Sequence, residues 1–370
     1  MSTKARHNSG PRSEYPLPAD VANALGSTFA PKASNFGLLF HRFIPYSNYA
    51  NAKTSGMAWE LRGKDKAKLW NDLLKGATHI FSQEHMRELH DALRERRELL
   101  EKACCARFKP AGVKAFTLEI EWRLAMGLST GSALDTGMSL HRVYGVPWIA
   151  SSAIKGATRS YALELMANML DLPRLTPEEI KKRRQSKDIE SRLTLWERLE
   201  NLLLGSAEDF KQGWPGLVQS SKLPRVCESA EELTSAAGDL DSIATKFRKI
   251  FGTPQDQGRV VFFDAMPESL VVENKSGKKP LLELDIINPH YSDYYRDGRS
   301  PPADYLAPIP VNFLTVRGGA RFRFLLASHS STLAKTARDW LKAAAQDIGM
   351  GAKTMAGYGA LKTPSAEEKS

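Results

Sequence analysis

Alternation with a period of two marks the first strand of this chain. Over 115–126, Phe116, Leu118, Ile120, Trp122 and Leu124 alternate with Thr117, Glu119, Glu121 and Arg123, which predicts one buried and one polar face. The β pattern returns at 258–264, 282–287, 309–316 and 320–327. In the last of these, Phe322, Phe324 and Leu326 oppose Arg321, Arg323 and Leu325. Helical spacing predicts helix from about 58 to 102, where Leu89, Leu93 and Leu100 recur at helical intervals. A second helix runs from 151 to about 170, with Ser151 and Ser152 as its N-cap. Most of 172–250 is helical and highly charged, as an insertion would be. A last helix from about 332 leads to 348, and a short strand at 359–362 closes the pattern. Strands and helices in this order predict an α+β fold of the β-α-β-β-α-β type with an antiparallel sheet, not a doubly wound one.

Composition narrows the partner more than the fold. The chain has 370 residues, 42% of them hydrophobic, enough for a proper core. The formal charge is +10 and the pI about 9.4, an excess that favours a polyanionic partner. Residues 1–20, rich in Lys, Arg, Ser, Gly and Pro, read as a flexible basic arm. Residues 21–370 then form a single domain with helical elaborations at about 58–102 and 172–250. The run Lys181, Lys182, Arg183 and Arg184 reads as a solvated face. Cys104, Cys105 and Cys227 are too few and too badly spaced for a disulfide framework or a zinc site. A reducing cytoplasm fits. No apolar run approaches the ~20 residues of a membrane span, and no secretory signal core is visible.

Two segments carry the candidate chemistry. The first is the loop with Gly349, Gly351, Lys353, Thr354, Gly357, Tyr358 and Gly359. Glycine lets backbone amides approach a ligand closely, and successive amides form a concavity suited to phosphate. Lys353 adds charge and Tyr358 a stacking face. A nucleoside-triphosphate loop is excluded, because Ala352 separates Gly351 from Lys353 and a helix precedes the loop instead of following it. The second segment is the helix start with Ser152, Lys155, Gly156 and Arg159. A helix N-terminus favours anions, and Lys155 and Arg159, four apart, share one face.

These segments resemble known signatures. Pro147, Ser151, Ser152, Lys155, Gly156 and Arg159 are similar to the first signature of the RAMP superfamily of CRISPR-associated proteins. Phe251, Gly252, Gly258, Arg259, Val260, Phe262, Phe263 and Asp264 resemble its central signature, and 349–359 its C-terminal glycine-rich loop. Together they frame 115–362. The stretch Asp285, Asn288, Pro289, His290, Tyr291, Asp293, Tyr294 and Tyr295, with Pro301, Pro302, Asp304, Pro308, Pro310 and Phe313, resembles the family of sixth subunits of type III-B CRISPR (Cmr) effectors. The resemblance implies an RRM-like, ferredoxin-like core in a non-catalytic, cytoplasmic subunit of an antiviral ribonucleoprotein. It implies contact with the guide RNA backbone near the 3′ end and with target RNA, hetero-oligomeric partners among other RAMP subunits, and no cofactor. Ser152, Lys155, Arg159, Gly349, Gly351, Lys353, Thr354, Gly357 and Tyr358 are the expected RNA-binding positions.

Some RAMP relatives cut RNA, so an alternative is a metal-independent endoribonuclease using His141 as general base. Asp285, His290, Asp293 and Asp297 have metal-ligand residue types, yet the surrounding tyrosines and prolines favour a packed loop and no metal. Asp135 lies in the loop after the first strand; a target-cleaving role is not assigned to it, and the loop is expected to meet a neighbouring subunit or the guide–target duplex. Asp264 is expected to cap a turn or pair with a basic group, and Phe262 and Phe263 to be core.

Overall fold

The structure is a computed structural model that describes residues 35–42, 44, 63–129, 134–172, 175–185, 194–220, 230–274, 277–288 and 310–364. The basic arm at 1–20, and His290, Asp293 and Asp297, lie outside the described residues, as do Cys227 and parts of both helical elaborations. The helices are α1 (Phe36–Arg42), α2 (Gly63–Ser82), α3 (Glu84–Phe108), α4 (Ser151–Met169), α5 (Pro177–Arg184), α6 (Leu195–Leu204), α7 (Ala207–Ser220), α8 (Ala230–Phe251) and α9 (Ser331–Ala343). The strands are β1 (Val113–Ile120), β2 (Arg123–Leu124), β3 (Val261–Phe262), β4 (Met266–Pro267), β5 (Val271–Asn274), β6 (Gly277–Pro280), β7 (Leu282–Ile287), β8 (Val311–Arg317), β9 (Arg321–Ala327) and β10 (Leu361–Lys362).

Helix and antiparallel sheet are thus mixed, and the chain divides into two compact units. One comprises Met1–Arg94, Arg123–Trp148 and Pro267–Ala320; the other comprises Glu95–Trp122, Ile149–Met266 and Arg321–Ser370. In the second unit the sheet runs β10-β1-β9-β3, antiparallel at each step. β9 holds its centre because it is buried from both sides: Phe322, Phe324 and Leu326 on one face, Leu325 and Ala327 on the other. Phe116 sits opposite Phe324, and their rings stack at 5.6 Å. On the polar side, Arg321 Nε donates to Glu119 Oε2 at 2.9 Å, and Arg323 grips Glu101 through two 3.0 Å bonds. α9 places Leu333, Ala334, Ala337, Trp340 and Leu341 at helical spacing on its buried face, and it packs against α4 and β1. Its regular turns end at Ala343. A wider turn, Ala344–Ile348, then carries the chain into Gly349.

In the first unit β2, β8 and β7 form a three-stranded antiparallel sheet, with β5–β6 as a separate hairpin. α2 covers β7 and β8, and buries Leu69, Trp70, Leu73 and Ile80. Arg123 on β2 reaches Glu283 at 2.8 Å and Asp285 at 2.5 Å, and Arg317 meets Glu283 at 2.7 Å. Asp285 is therefore part of a sheet-face ion network. Among the described residues, no group of three or more His, Cys, Asp or Glu is placed to hold a metal ion. Among the same residues, no helix is long and apolar enough to cross a membrane.

The expected strand over 115–126 is corrected. β1 stops at Ile120, and β2 pairs with β8 in the other unit's sheet. Alternation continues in the sequence while the backbone changes partners, so its inside–outside parity lapses at the bend. Trp122 falls at that bend and is 49% exposed, not core. The expected strand over 258–264 also shrinks, to Val261 and Phe262, because 252–258 forms a turn closed by a Gly252–Gln257 bridge.

Candidate functional site

The glycine loop is tied shut at its base. Met350 N–H donates to the Gly359 carbonyl at 2.8 Å, and Gly349 N–H to the Ala344 carbonyl at 2.9 Å. A Cβ on Gly359 would stand 1.8 Å from the Met350 oxygen, so only glycine permits this crossing. Gly349, Gly351, Gly357 and Gly359 all have positive φ, and so does Lys353, at 60°. A lysine held in the left-handed region is uncommon and marks an imposed backbone. The amides of Ala356, Gly357 and Tyr358 turn inward, to the carbonyls of Lys353 and Thr354. What the loop presents outward is Gly351, Met355, Ala356 and Gly357, with Met355 fully exposed. Tyr358 is buried: its ring lies 4.9 Å from that of Trp122, and Lys353 Nζ sits 5.6 Å from its centroid. The aromatic surface open at this place belongs to Trp122, which the period-two reading had assigned to the core.

At the start of α4, the expected cap by Ser151 and Ser152 is replaced. Ala150 is the N-cap residue, in extended backbone and without a side-chain cap bond. The acceptor comes from far along the chain: Asp264 Oδ1 takes the Ser151 N–H at 2.7 Å. The adjacent Ile149–Ala265 bridge brings the two together. A carboxylate at a helix N-terminus is stabilising, and it occupies part of the position that an incoming phosphate would use. Ser152 stays exposed at this end. Lys155 is half-buried and has no ion-pair partner among the described residues. Arg159, on the same face, donates to Glu200 on α6 at 2.7 Å and lies 5.7 Å over the Phe247 ring on α8. Phe262 stacks on Phe251 at 6.1 Å, and Phe263 packs against Cys104, Leu325 and Ala327, so both phenylalanines are core.

The family model of the RAMP superfamily matches residues 117–362, two thirds of the chain. This chain belongs to the RAMP superfamily. It is 34% identical over 246 residues to the CRISPR system Cmr subunit Cmr6 of Pyrococcus furiosus, an alignment spanning 65% of this chain and 64% of that protein. The chain therefore matches less than two thirds of that relative's own length. The crystal structure of Cmr6 from Pyrococcus furiosus is 31% identical, covering 68% of this chain and 98% of that one, with a TM-score of 0.41. A chain in the cryo-EM structure of the type III-B Cmr-beta bound to cognate target RNA is 18% identical. It covers 87% of this chain and 80% of that one, with a TM-score of 0.43.

The RAMP loop after β2 carries the remaining candidates. His141 is half-buried, and its Nδ1 accepts the Val143 and Tyr144 amides at 3.3 and 3.4 Å. Its ring leans on Tyr144 and Trp148. The turn is pinned by Asn35, whose Nδ2 donates to the Val143 carbonyl at 2.8 Å and whose Oδ1 caps α1 through Leu38 N–H. Asp135 is paired with Lys66 of α2. The residue that sequence reasoning missed is Trp122. Its signal was the Glu-Trp-Arg bend, where two charged residues flank the aromatic.

Proposed function

We propose that this chain is an RNA-binding, non-catalytic subunit of a type III-B CRISPR ribonucleoprotein effector in the cytoplasm. It holds the guide RNA backbone near its 3′ end, lies beside the target RNA, and docks neighbouring RAMP subunits. The observation that carries the reading is the 34% identity to a Cmr subunit in a chain whose family match takes in all three motifs. The strand order β10-β1-β9-β3, with α4 after β1 and α9 after β9, supports an RRM-like, ferredoxin-like core. Lys155 and Lys353 supply charge to phosphates, with Ser152, Thr354 and the backbone at Gly349, Gly351 and Gly357 beside them. Phosphate contacts position a strand without reading its sequence, as a subunit serving many guides requires. Tyr358 acts from beneath, by seating Lys353 and backing Trp122. Arg159 ties α4 to α6 and α8 and contributes positive field. The non-catalytic reading is supported by His141, whose Nδ1 organises its own turn.

The test is assembly of the full-length chain on guide RNA across a salt series. Lys155→Ala with Lys353→Ala should weaken binding and lower the salt slope by roughly 0.7 per lost phosphate contact on a single strand. Wild-type affinity and slope in the double variant sink the assignment of these residues. RNA cleavage by clean protein that disappears in His141→Ala would replace it with the nuclease reading.

A further inference from the structure

A cavity of about 470 Å³ lies in the second unit, between the C-terminal half of α8, Arg259 and the first turn of α9. No motif residue of the glycine loop or of α4 lines it. Lys246 and Lys249 project into it from one face of α8, and Arg259 comes from the turn that follows. None of the three has an ion-pair partner among the described residues. One carboxylate, Asp241, opposes them and leaves a net charge of +2. That carboxylate is already committed, since Trp214 Nε1 donates to it at 2.5 Å.

The wall is held by backbone. Arg259 N–H donates to the Lys249 carbonyl at 2.7 Å. The Arg259 carbonyl accepts from Ser328 Oγ at 2.7 Å, and the same fully buried hydroxyl accepts the Ser330 N–H at 3.2 Å. Ser330 caps α9, whose N-terminal dipole adds positive potential to the cavity. One buried serine thus fixes the backbone at Arg259 and at the cap of α9, while Lys249 and Arg259 are exposed and Lys246 is half-buried beside them.

We infer that this pocket is a second phosphate-binding site of the chain, which takes backbone phosphates of RNA. The inference rests on RNA being the partner, but on none of the residues proposed above to hold it. An acidic protein segment is disfavoured by the lining: Leu333 is the single apolar residue among those that form it, so a peptide finds no hydrophobic anchor there.

The experiment uses the full-length chain and a labelled single-stranded RNA of arbitrary sequence, read by anisotropy. Wild type is compared with the triple variant Lys246→Ala, Lys249→Ala, Arg259→Ala and with Asp241→Asn. Three lost phosphate contacts lower the salt slope by about 2, so wild type loses about 20-fold more affinity than the triple variant between about 50 and 200 mM salt. Asp241→Asn keeps an acceptor for Trp214, removes the opposing charge, and tightens binding. If the triple variant does not fold, the Asp241→Asn result decides alone: tighter binding supports the site and no change overturns it. A folded triple variant with wild-type affinity and slope overturns the inference, whether or not it still joins other subunits. If it binds RNA normally but fails to join them, the pocket is a protein dock instead. A defect in Lys155→Ala with Lys353→Ala but not in the triple variant removes the pocket alone. The reverse pattern leaves the pocket standing and removes the glycine-loop grip.

Discussion

Gly357 and Gly359 are two residues apart, and both have positive φ, 86° and 76°. Alanine at either should nevertheless have very different consequences. Left-handed backbone costs a Cβ-bearing residue about 1–2 kcal/mol, and the stiffer unfolded chain returns about 0.4–1 kcal/mol of this. At Gly357 nothing lies within 4 Å of the new Cβ, so the net cost of Gly357→Ala is about 1 kcal/mol. At Gly359 the Cβ would lie 1.8 Å from the Met350 oxygen, where ordinary contact begins near 3.4 Å. The Met350 backbone must retreat, and the 2.8 Å bond from Met350 N–H to the Gly359 carbonyl goes with it. Buried polar groups left without partners add about 1–3 kcal/mol, which brings Gly359→Ala to about 2–4 kcal/mol. Hydrogen exchange of the loop amides reads this directly, because about 1.4 kcal/mol is tenfold in an opening equilibrium. Gly357→Ala should speed exchange roughly fivefold, and Gly359→Ala roughly 30-fold to 1,000-fold. Equal exchange in the two variants would refute the crossing as the element that holds the loop.

Three further outcomes follow from contacts elsewhere. Asp264→Ala should destabilise α4 by about 1 kcal/mol, as loss of a cap does, while Asp264→Asn keeps an acceptor and costs less; melting temperatures that do not rank wild type, Asn, Ala contradict the cap. Arg123→Ala leaves Glu283 and Asp285 facing each other at 14% and 18% exposure. Arg317 still pairs Glu283, so the cost should be about 2–3 kcal/mol rather than the 3–5 kcal/mol of a fully buried broken pair. An unmoved urea midpoint would argue against the network. His41 is held below its ordinary pKa by burial, then by the charge of Arg42, against a bond with the Met138 backbone that raises it. Folding therefore favours the neutral ring: its full stability is present above the unfolded pKa near 6.5 and declines as pH falls from there through the lowered folded value. Thermal melts across that window should show the decline in wild type, and His41→Gln should flatten it.

The legible parts of the fold were those in which one helix face or one strand face decides burial. β9 and α9 declare themselves through Phe322 and Phe324 and through Leu333, Ala337 and Trp340, because each element keeps its partners along its length. Trp122 was misassigned for the opposite reason. Its alternation is continuous in sequence, but it sits between β1 and β2, which pair in different sheets, and periodicity carries no record of partner identity. The cap of α4 was illegible in a different way. Ser151 and Ser152 are good cap residues locally, yet the acceptor is Asp264, 113 positions away, supplied by a strand pairing that local preference does not encode. The glycines were read for ligand approach, and in the structure Gly349, Gly351, Gly357 and Gly359 all take positive φ. They did not reveal that Gly359 serves loop closure and not ligand approach, which depends on where Met350 returns.

The same geometry bears on how the proposed grip divides its labour. Lys155 and Arg159 share a helix face by spacing, and sequence gives them equal claim on a phosphate. Arg159 is spent on Glu200 and Phe247. A guanidinium is suited to pairing with a carboxylate while lying over an aromatic ring, whereas an ammonium acts as a mobile point charge. Lys353 is in the converse situation: its backbone is fixed at φ 60° while its ammonium lies over Tyr358. A rigid base and an adaptable tip suit a partner whose charge is constant and whose bases vary. Lys353→Arg should therefore not be neutral. Its flat head would compete for the Tyr358 face, and stacking there would draw charge away from the phosphate. Lys155→Arg faces no such aromatic competitor in the described contacts and should retain RNA affinity. Equal affinity losses in the two arginine variants, measured on the full-length chain, would show that the Tyr358 contact plays no part in setting where Lys353 points.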